Sequence, residues 1–290
     1  MIKVQTGQIV EFYSNSCCVA SGGEEFKCKI QGRINLVVGD LVEIEIASSN
    51  DSFEGMVTKL LDRVTTLYKS KEKVKKPIAA NISHIGILVT KNPKTNLEFI
   101  DKWITISANA SIKPFIIFNK IDLLQIDEFK EIRKVYEDIE IKTFQISAKY
   151  FTNIDELKKY LLKKTTIFVG NSGSGKSTLT SAITGKKILS KALSNNQGVH
   201  TTSVSTLYNI DEMQIIDSPG VRDIDIDHLK PKEIILGFPE IMNHSLICAF
   251  PNCSHDIDEG CAVKAALKNG DIKESRYNNF IFLSNQEKSR

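Results

Sequence analysis

No stretch of this chain is both long enough and apolar enough to span a bilayer, which excludes a helical membrane protein as the reading of the sequence. The opening residues, MIKVQTGQIVEF, lack the basic-then-apolar order of a secretory leader and alternate like a strand, so the expected address is the cytoplasm. Prolines are few, seven in 290 residues, and with an apolar fraction of 41% this describes an ordinary folded chain with room for two or three sizeable units. A large excess of one charge is also missing, since the formal net charge is +3. A strongly basic nucleic-acid binder would carry a wider positive stripe, so charge alone does not establish contact with RNA. The single conspicuous basic block, KSKEKVKK at 69–76, has two readings, a solvated linker or a phosphate contact.

Cysteine is present in two separate sets. Cys17, Cys18 and Cys28 fall near the start, and Cys248, Cys253 and Cys261 near the end, the second set enclosing His255. In a reducing compartment the late set suggests a metal, whereas the early three read as buried small hydrophobes. Three thiolates and one imidazole spaced C-x4-C-x-H-x5-C complete a closed tetrahedral set, which favours structural zinc over a catalytic ion with an open position.

The organisation expected is multidomain α/β. Residues 1–68 hold five short strand signals (GQIVEFY, SCCVAS, EEFKCKI, LVEIEI and GMVTKLL) separated by turn residues. Five strands in so short a span suit a closed barrel, because closure removes exposed edges. An OB-like barrel is expected, with an SH3-like one left open, since alternation does not reveal strand order. A basic linker is expected at 69–81. From 82 to 222 apolar strands (HIGILVT, PFIIFNK, KTFQISA, TTIFVGN) alternate with helical periodicity, which implies a parallel sheet with ligands at its carboxyl edge. Phe99, Ile100, Trp103, Ile104 and Ile106 mark one helix, with Trp103 in the core; Ile154, Leu157, Tyr160 and Leu161 mark another. VSTLYNIDEMQIIDSPG reads as a hairpin entering the same sheet. Residues 223–290 read as a helical zinc-binding domain.

Three constellations carry the chemistry. Gly170, Asn171, Ser172, Gly173, Ser174, Gly175, Lys176, Ser177 and Thr178 spell G-x-x-x-x-G-K-S/T between a strand and a helix. Such a loop wraps phosphates with backbone N–H groups, Lys176 reaches the β/γ-phosphates, and Ser177 can ligate Mg²⁺. Asp217 ends the apolar strand of IIDSPG, where an acid holds Mg²⁺, and Gly220 is free to follow the γ-phosphate. NKID places Asn119, Lys120 and Asp122 just beyond another strand: the Asp122 carboxylate can accept guanine N1–H and N2–H₂, Asn119 can address N7, and Lys120 can lay its stem over the base. Ser147, Ala148 and Lys149 follow a third strand, where the Ala148 N–H can meet guanine O6. QGVHTTSV supplies a threonine for γ-phosphate and Mg²⁺, with the choice between Thr201 and Thr202 open. The glutamine that ordinarily orients water after the glycine is missing, since Val221 stands there; His200 is the nearest substitute, its other reading being a solvent-facing loop histidine.

The order of these motifs, base loop first, then S-A-K, then the phosphate loop, VHTT and DSPG, resembles the circularly permuted, ribosome small-subunit-dependent GTPases of the RsgA family. The resemblance runs from the barrel through ANISHI to CAVKAALKNGDIKESRY. It implies a GTPase that binds the small (30S) ribosomal subunit, with 16S rRNA and nearby proteins as partners, and that couples hydrolysis to its own release or to late assembly. It also implies a monomer away from membranes, Mg²⁺ held with GTP or GDP, and one structural Zn²⁺. It leans toward Thr201 for the metal and toward His200 as the catalytic histidine of this switch. Two departures stand out: Ser254 and Glu259 replace an arginine and a proline common in the family's metal loop. The alternatives are a zinc-stabilised rRNA-binding module with a regulatory guanine-nucleotide site, and a general P-loop NTPase.

Overall fold

The computed structural model describes residues 3–13, 15–46, 53–71, 74–124, 128–185, 204–218, 220–221 and 224–285. Strands β1 (Lys3–Phe12), β2 (Ser16–Ser21), β3 (Glu24–Ile30), β4 (Leu41–Ile46) and β5 (Gly55–Leu60) pair in the order β1-β2-β3-β5-β4, and β4 returns to β1. The β3–β5 pair is parallel and the others antiparallel. This is the OB form of the barrel, a closure that leaves no free edge. Alternate residues point inward, so Ile9, Val19, Ile44 and Val57 are 0% exposed. Each contributes about 1.5–3 kcal/mol by burial. Cys17 and Cys28 lie in the same core, and burial pushes both thiols up to about 12, as befits hydrophobes and not ligands.

Where the sequence suggests a basic linker at 69–81, the chain forms an antiparallel hairpin, β6 (Thr66–Lys71) and β7 (Val74–Ala80). The signal was obscured because Lys69 faces Lys76 across the pair, a like-charge pairing that strand propensity does not favour. The hairpin is tied to the barrel by a bridge between Val38 and Ala79. Gly39 makes this approach possible: its φ is +89°, and a Cβ there would lie 2.2 Å from the Ala80 carbonyl oxygen.

The central sheet follows. Its strands are β8 (His84–Val89), β9 (Lys113–Asn119), β10 (Thr143–Ile146), β11 (Thr165–Val169), β12 (Ser205–Ile210) and β13 (Met213–Asp217), in the order β10-β9-β8-β11-β13-β12. All neighbours are parallel except β12, which runs antiparallel to β13. Helices α1 (Leu97–Asn109), α2 (Lys130–Glu137), α3 (Ile154–Leu161) and α4 (Lys176–Thr184) connect the strands. Consecutive strand residues alternate between two cores: Ile116 and Phe118 pack with α1 residues including Trp103, whereas Phe115 and Ile117 pack with Leu157 and Leu179 of α3 and α4. Trp103 is accordingly buried.

Helices α5 (Pro231–Ile234), α6 (Pro239–Ser245), α7 (Ala262–Asn269) and α8 (Glu274–Asn285) complete the chain, with proline at the start of α5 and α6 and Gly270 in the left-handed region at the end of α7. Phe238, Ile241, Val263 and Phe280 join the α1 face of the sheet in one continuous core. The barrel is also not set apart, because Glu11 and Phe12 of β1 pair with Thr206 and Ser205 of β12. No helix of the described residues is long and apolar enough to cross a membrane.

Candidate nucleotide site and metal cluster

Four parallel strands end at one edge of the central sheet, and each delivers one of the motifs. β9 ends in Asn119, β10 leads into Ser147, β11 into Gly170, and β13 ends in Asp217. The register Ile167↔Ile216 sets Asp217 beside Phe168, two residues before the phosphate loop begins. Side chains far apart in sequence are thus gathered by strand order alone.

The phosphate loop takes its shape from its glycines. Gly173 and Gly175 have φ of +76° and +94°, and α4 starts directly at Lys176, so its N-terminal N–H groups face the loop. A Cβ at Gly175 would meet Asn119 Nδ2 at 2.4 Å. That space is what Asn119 uses: its Nδ2 donates to the Ser174 carbonyl at 2.9 Å, and its Oδ1 accepts from the Ala148 N–H at 3.1 Å. The buried carboxamide of Asn119 therefore clamps the phosphate loop to the S-A-K loop. The Ala148 N–H, expected at guanine O6, and Asn119, expected at N7, bond each other here. Lys176 Nζ donates to the carbonyls of Gly170 and, at 3.0 Å, Asn171.

Lys120 sits in the left-handed region at φ 66°, which turns the chain into a 3₁₀ turn, Ile121–Leu123, and its Nζ donates to the Asn92 carbonyl at 2.8 Å. Asp122 is exposed on that turn and accepts a short hydrogen bond from Ser147 Oγ. Ser147 is itself fully buried and fixed by paired backbone bonds with Thr152. One carboxylate oxygen is thus held, with the group still facing solvent. Lys149 is exposed and lies 4.9 Å from the centroid of the Tyr150 ring.

Beyond Asp217, Ser218 Oγ meets Ser205 Oγ at 2.9 Å, and Gly220 approaches the hairpin residue Ile78. Val221 is 4% exposed and belongs to the α1-side core, so its position holds a packing residue. His200, Thr201 and Thr202 lie outside the described residues.

The second cluster is the late cysteine set. The ligating atoms of Cys248, Cys253, His255 and Cys261 all lie within 4.8 Å of one another, with His255 Nδ1 at 3.6 Å from Cys248 Sγ and 3.7 Å from Cys261 Sγ. A tetrahedral zinc with ordinary Zn–S and Zn–N bonds sets that separation at about 3.6 Å, so the donor set fits the ion. Cys248 has its thiol below the usual value: burial works against ionisation, but N–H groups of Ala262 and Val263 at the start of α7, together with the Cys253 and Cys261 thiols, outweigh it. Tyr277 Oη donates to the His255 carbonyl at 2.8 Å, which holds the ligand's backbone from outside the set.

A sheet that carries its base loop ahead of its phosphate loop, with the acidic strand last, defines a circularly permuted P-loop GTPase. The RsgA GTPase family model matches residues 60–227. The small ribosomal subunit biogenesis GTPase RsgA of Actinobacillus pleuropneumoniae is 34% identical over 295 residues, covering 96% of this chain and 84% of that protein. The protein of the same name from Flavobacterium johnsoniae is 32% identical, covering 89% and 86%. The chain belongs to the RsgA GTPase family. Among solved structures, YjeQ from Thermotoga maritima matches with a TM-score of 0.79 at 28% identity over 99% of this chain and 100% of that one. YloQ, described as a circularly permuted GTPase, shares the fold with a TM-score of 0.78 at 22% identity over 99% and 96%.

Proposed function

We propose that this chain is a GTP hydrolase that binds the small (30S) ribosomal subunit, through 16S rRNA and nearby proteins, and acts in its late assembly or maturation. Hydrolysis to GDP and phosphate drives its release. The observation that carries this reading is the gathering of Asp122, the phosphate loop and Asp217 at one sheet edge, with Ser147 holding the Asp122 carboxylate. The names of the two bacterial relatives support the ribosomal partner.

In this reading residues 1–68 form the OB unit, 82–222 the permuted core and 223–290 the zinc-binding unit, with the basic segment between the first two available to phosphates. Asp122 reads the guanine edge, Asn119, Lys120, Ser147, Ala148 and Lys149 build the base pocket, and residues 170–178 hold the phosphates. Ser177 at the start of α4, Asp217 at the end of β13 and a threonine, Thr201 by resemblance, would hold Mg²⁺, whose chemistry is to neutralise charge on the β- and γ-phosphates. Thr202 and Gly220 are assigned to the γ-phosphate by their motifs. Cys248, Cys253, His255 and Cys261 hold structural zinc. The protein acts in the cytoplasm as a monomer.

Val221 has no group to orient water, so His200 takes that role, and turnover is slow until the subunit orders the switch. His200→Ala is expected to lower subunit-stimulated hydrolysis far more than GTP affinity, measured by single-turnover hydrolysis beside equilibrium binding. Equal losses in both would remove His200 from the chemistry.

A further inference from the structure

Helix α8 reaches two parts of the molecule from adjacent residues. Tyr277 holds the backbone of His255, as described above. Arg276, 1% exposed, points the other way, into the α1 face of the sheet. Its Nη1 donates to Asp101 Oδ1 at 2.6 Å, its Nε to Glu240 Oε1 at 2.7 Å and its Nη2 to the Gly237 carbonyl at 2.8 Å. The guanidinium carbon lies 4.2 Å from the centroid of the Phe238 ring. Asp101, 0% exposed, also accepts from Asn279 Nδ2 at 2.6 Å and from Tyr136 Oη at 2.9 Å.

Tyr136 is the one buried residue within α2, the helix between Asp122 and Ser147 in the chain. At the other end of α2, buried Phe129 places its ring 4.8 Å from that of Phe118, the residue before Asn119. So α2 has two anchors. One end is fastened through Tyr136 and Asp101 to Arg276, and the other rests on the strand end that carries the base motif. Removing the guanidinium would leave the Asp101 carboxylate buried without its cation, and its hold on Tyr136 would change.

We propose that Arg276 is a positioning residue for guanine selectivity, through which the C-terminal helix sets α2 and thereby the seating of Asp122 against the base. The proposal rests on the guanine-nucleotide reading of the site. It joins the C-terminal helix, which also holds the backbone of His255, to the base end of the site.

The probe is ITP, which keeps the N1–H and lacks the 2-amino group, so the GTP-to-ITP affinity ratio reads how well the second Asp122 contact is aligned. Competition binding to the full chain is expected to give a ratio lowered on the order of threefold to tenfold in Arg276→Met, the size of one net hydrogen bond. Tyr136→Phe, which removes only the hydroxyl joining α2 to Asp101, is expected to lower the ratio in the same direction and decides the matter if the arginine variant does not fold. Val57→Ala, a barrel-core variant, is expected to lower Tm and leave the ratio unchanged. A ratio unchanged in Tyr136→Phe and in any folded Arg276→Met, or lowered equally in Val57→Ala, overturns the proposal. A wild-type chain that does not separate GTP from ITP overturns the guanine reading beneath it.

Discussion

Asp122 makes the sharpest demand on a single residue. Its carboxylate offers acceptors only, which suits the N1–H and N2–H₂ of guanine. Asp122→Asn puts a donor at that place, and a base with a carbonyl at C2, xanthine, then pairs better than guanine. GTP affinity is expected to fall about tenfold to a hundredfold and XTP affinity to rise, as one unsatisfied buried group costs ~1–3 kcal/mol; unchanged selectivity in competition binding would contradict this. Gly175→Ala is expected to abolish nucleotide binding, because the new methyl would take the space of Asn119 Nδ2 and the backbone there is left-handed. In the barrel, Asp40 is fully buried and paired with Arg63 through Oδ1 at 2.6 Å and Oδ2 at 2.8 Å, while Oδ2 also accepts the Val37 N–H. Asp40→Ala is expected to cost about 1–3 kcal/mol, read as a lowered denaturation midpoint, because the buried Val37 N–H loses its acceptor and Arg63 keeps only the Asn35 carbonyl.

Among the elements, the metal loop and the hairpin repay comparison. Cys248, Cys253, His255 and Cys261 bring no helix or strand of their own to the loop beyond the start of α7, so the ion is expected to hold 248–261 in shape. Chelating zinc, or replacing His255 with Ala, is expected to remove hydrogen-exchange protection from 248–269 and to spare β8; full protection in the stripped protein would contradict a structural metal. The ligand set was legible in sequence because thiol and imidazole chemistry is written in residue types. The hairpin was not, because Lys69 and Lys76 look like a solvated run, and only the tertiary contact of Ala79 and Ala80 with the barrel gives those residues their strand. The strands of barrel and sheet were legible from alternation and apolar runs, whereas their order, including the parallel β3–β5 pair that makes the barrel OB, depends on pairing between distant segments.

For the whole molecule, the permutation is the organising feature. With the acidic strand last, the segment after Asp217 runs straight into the helices that share a core with α1, and β12, which pairs with the Asp217 strand, also pairs with the barrel. Both flanking units are therefore built onto the edge strands and helices of the nucleotide domain. Motif order disclosed the permutation in the sequence, yet nothing local disclosed this continuity: Arg276 stands near the start of α8 beside Glu274 with no sign of a distant partner, and its burial with Asp101, 175 positions earlier, is a product of the tertiary fold. The central claim is a guanine-selective hydrolase whose turnover is governed by the small ribosomal subunit. Its most direct test is phosphate release from GTP and from ATP by the full chain, with and without purified small subunits. The account predicts slow GTP turnover, negligible ATP turnover and a large rise with GTP when subunits are added; comparable rates with the two nucleotides, or no rise with subunits, would contradict it.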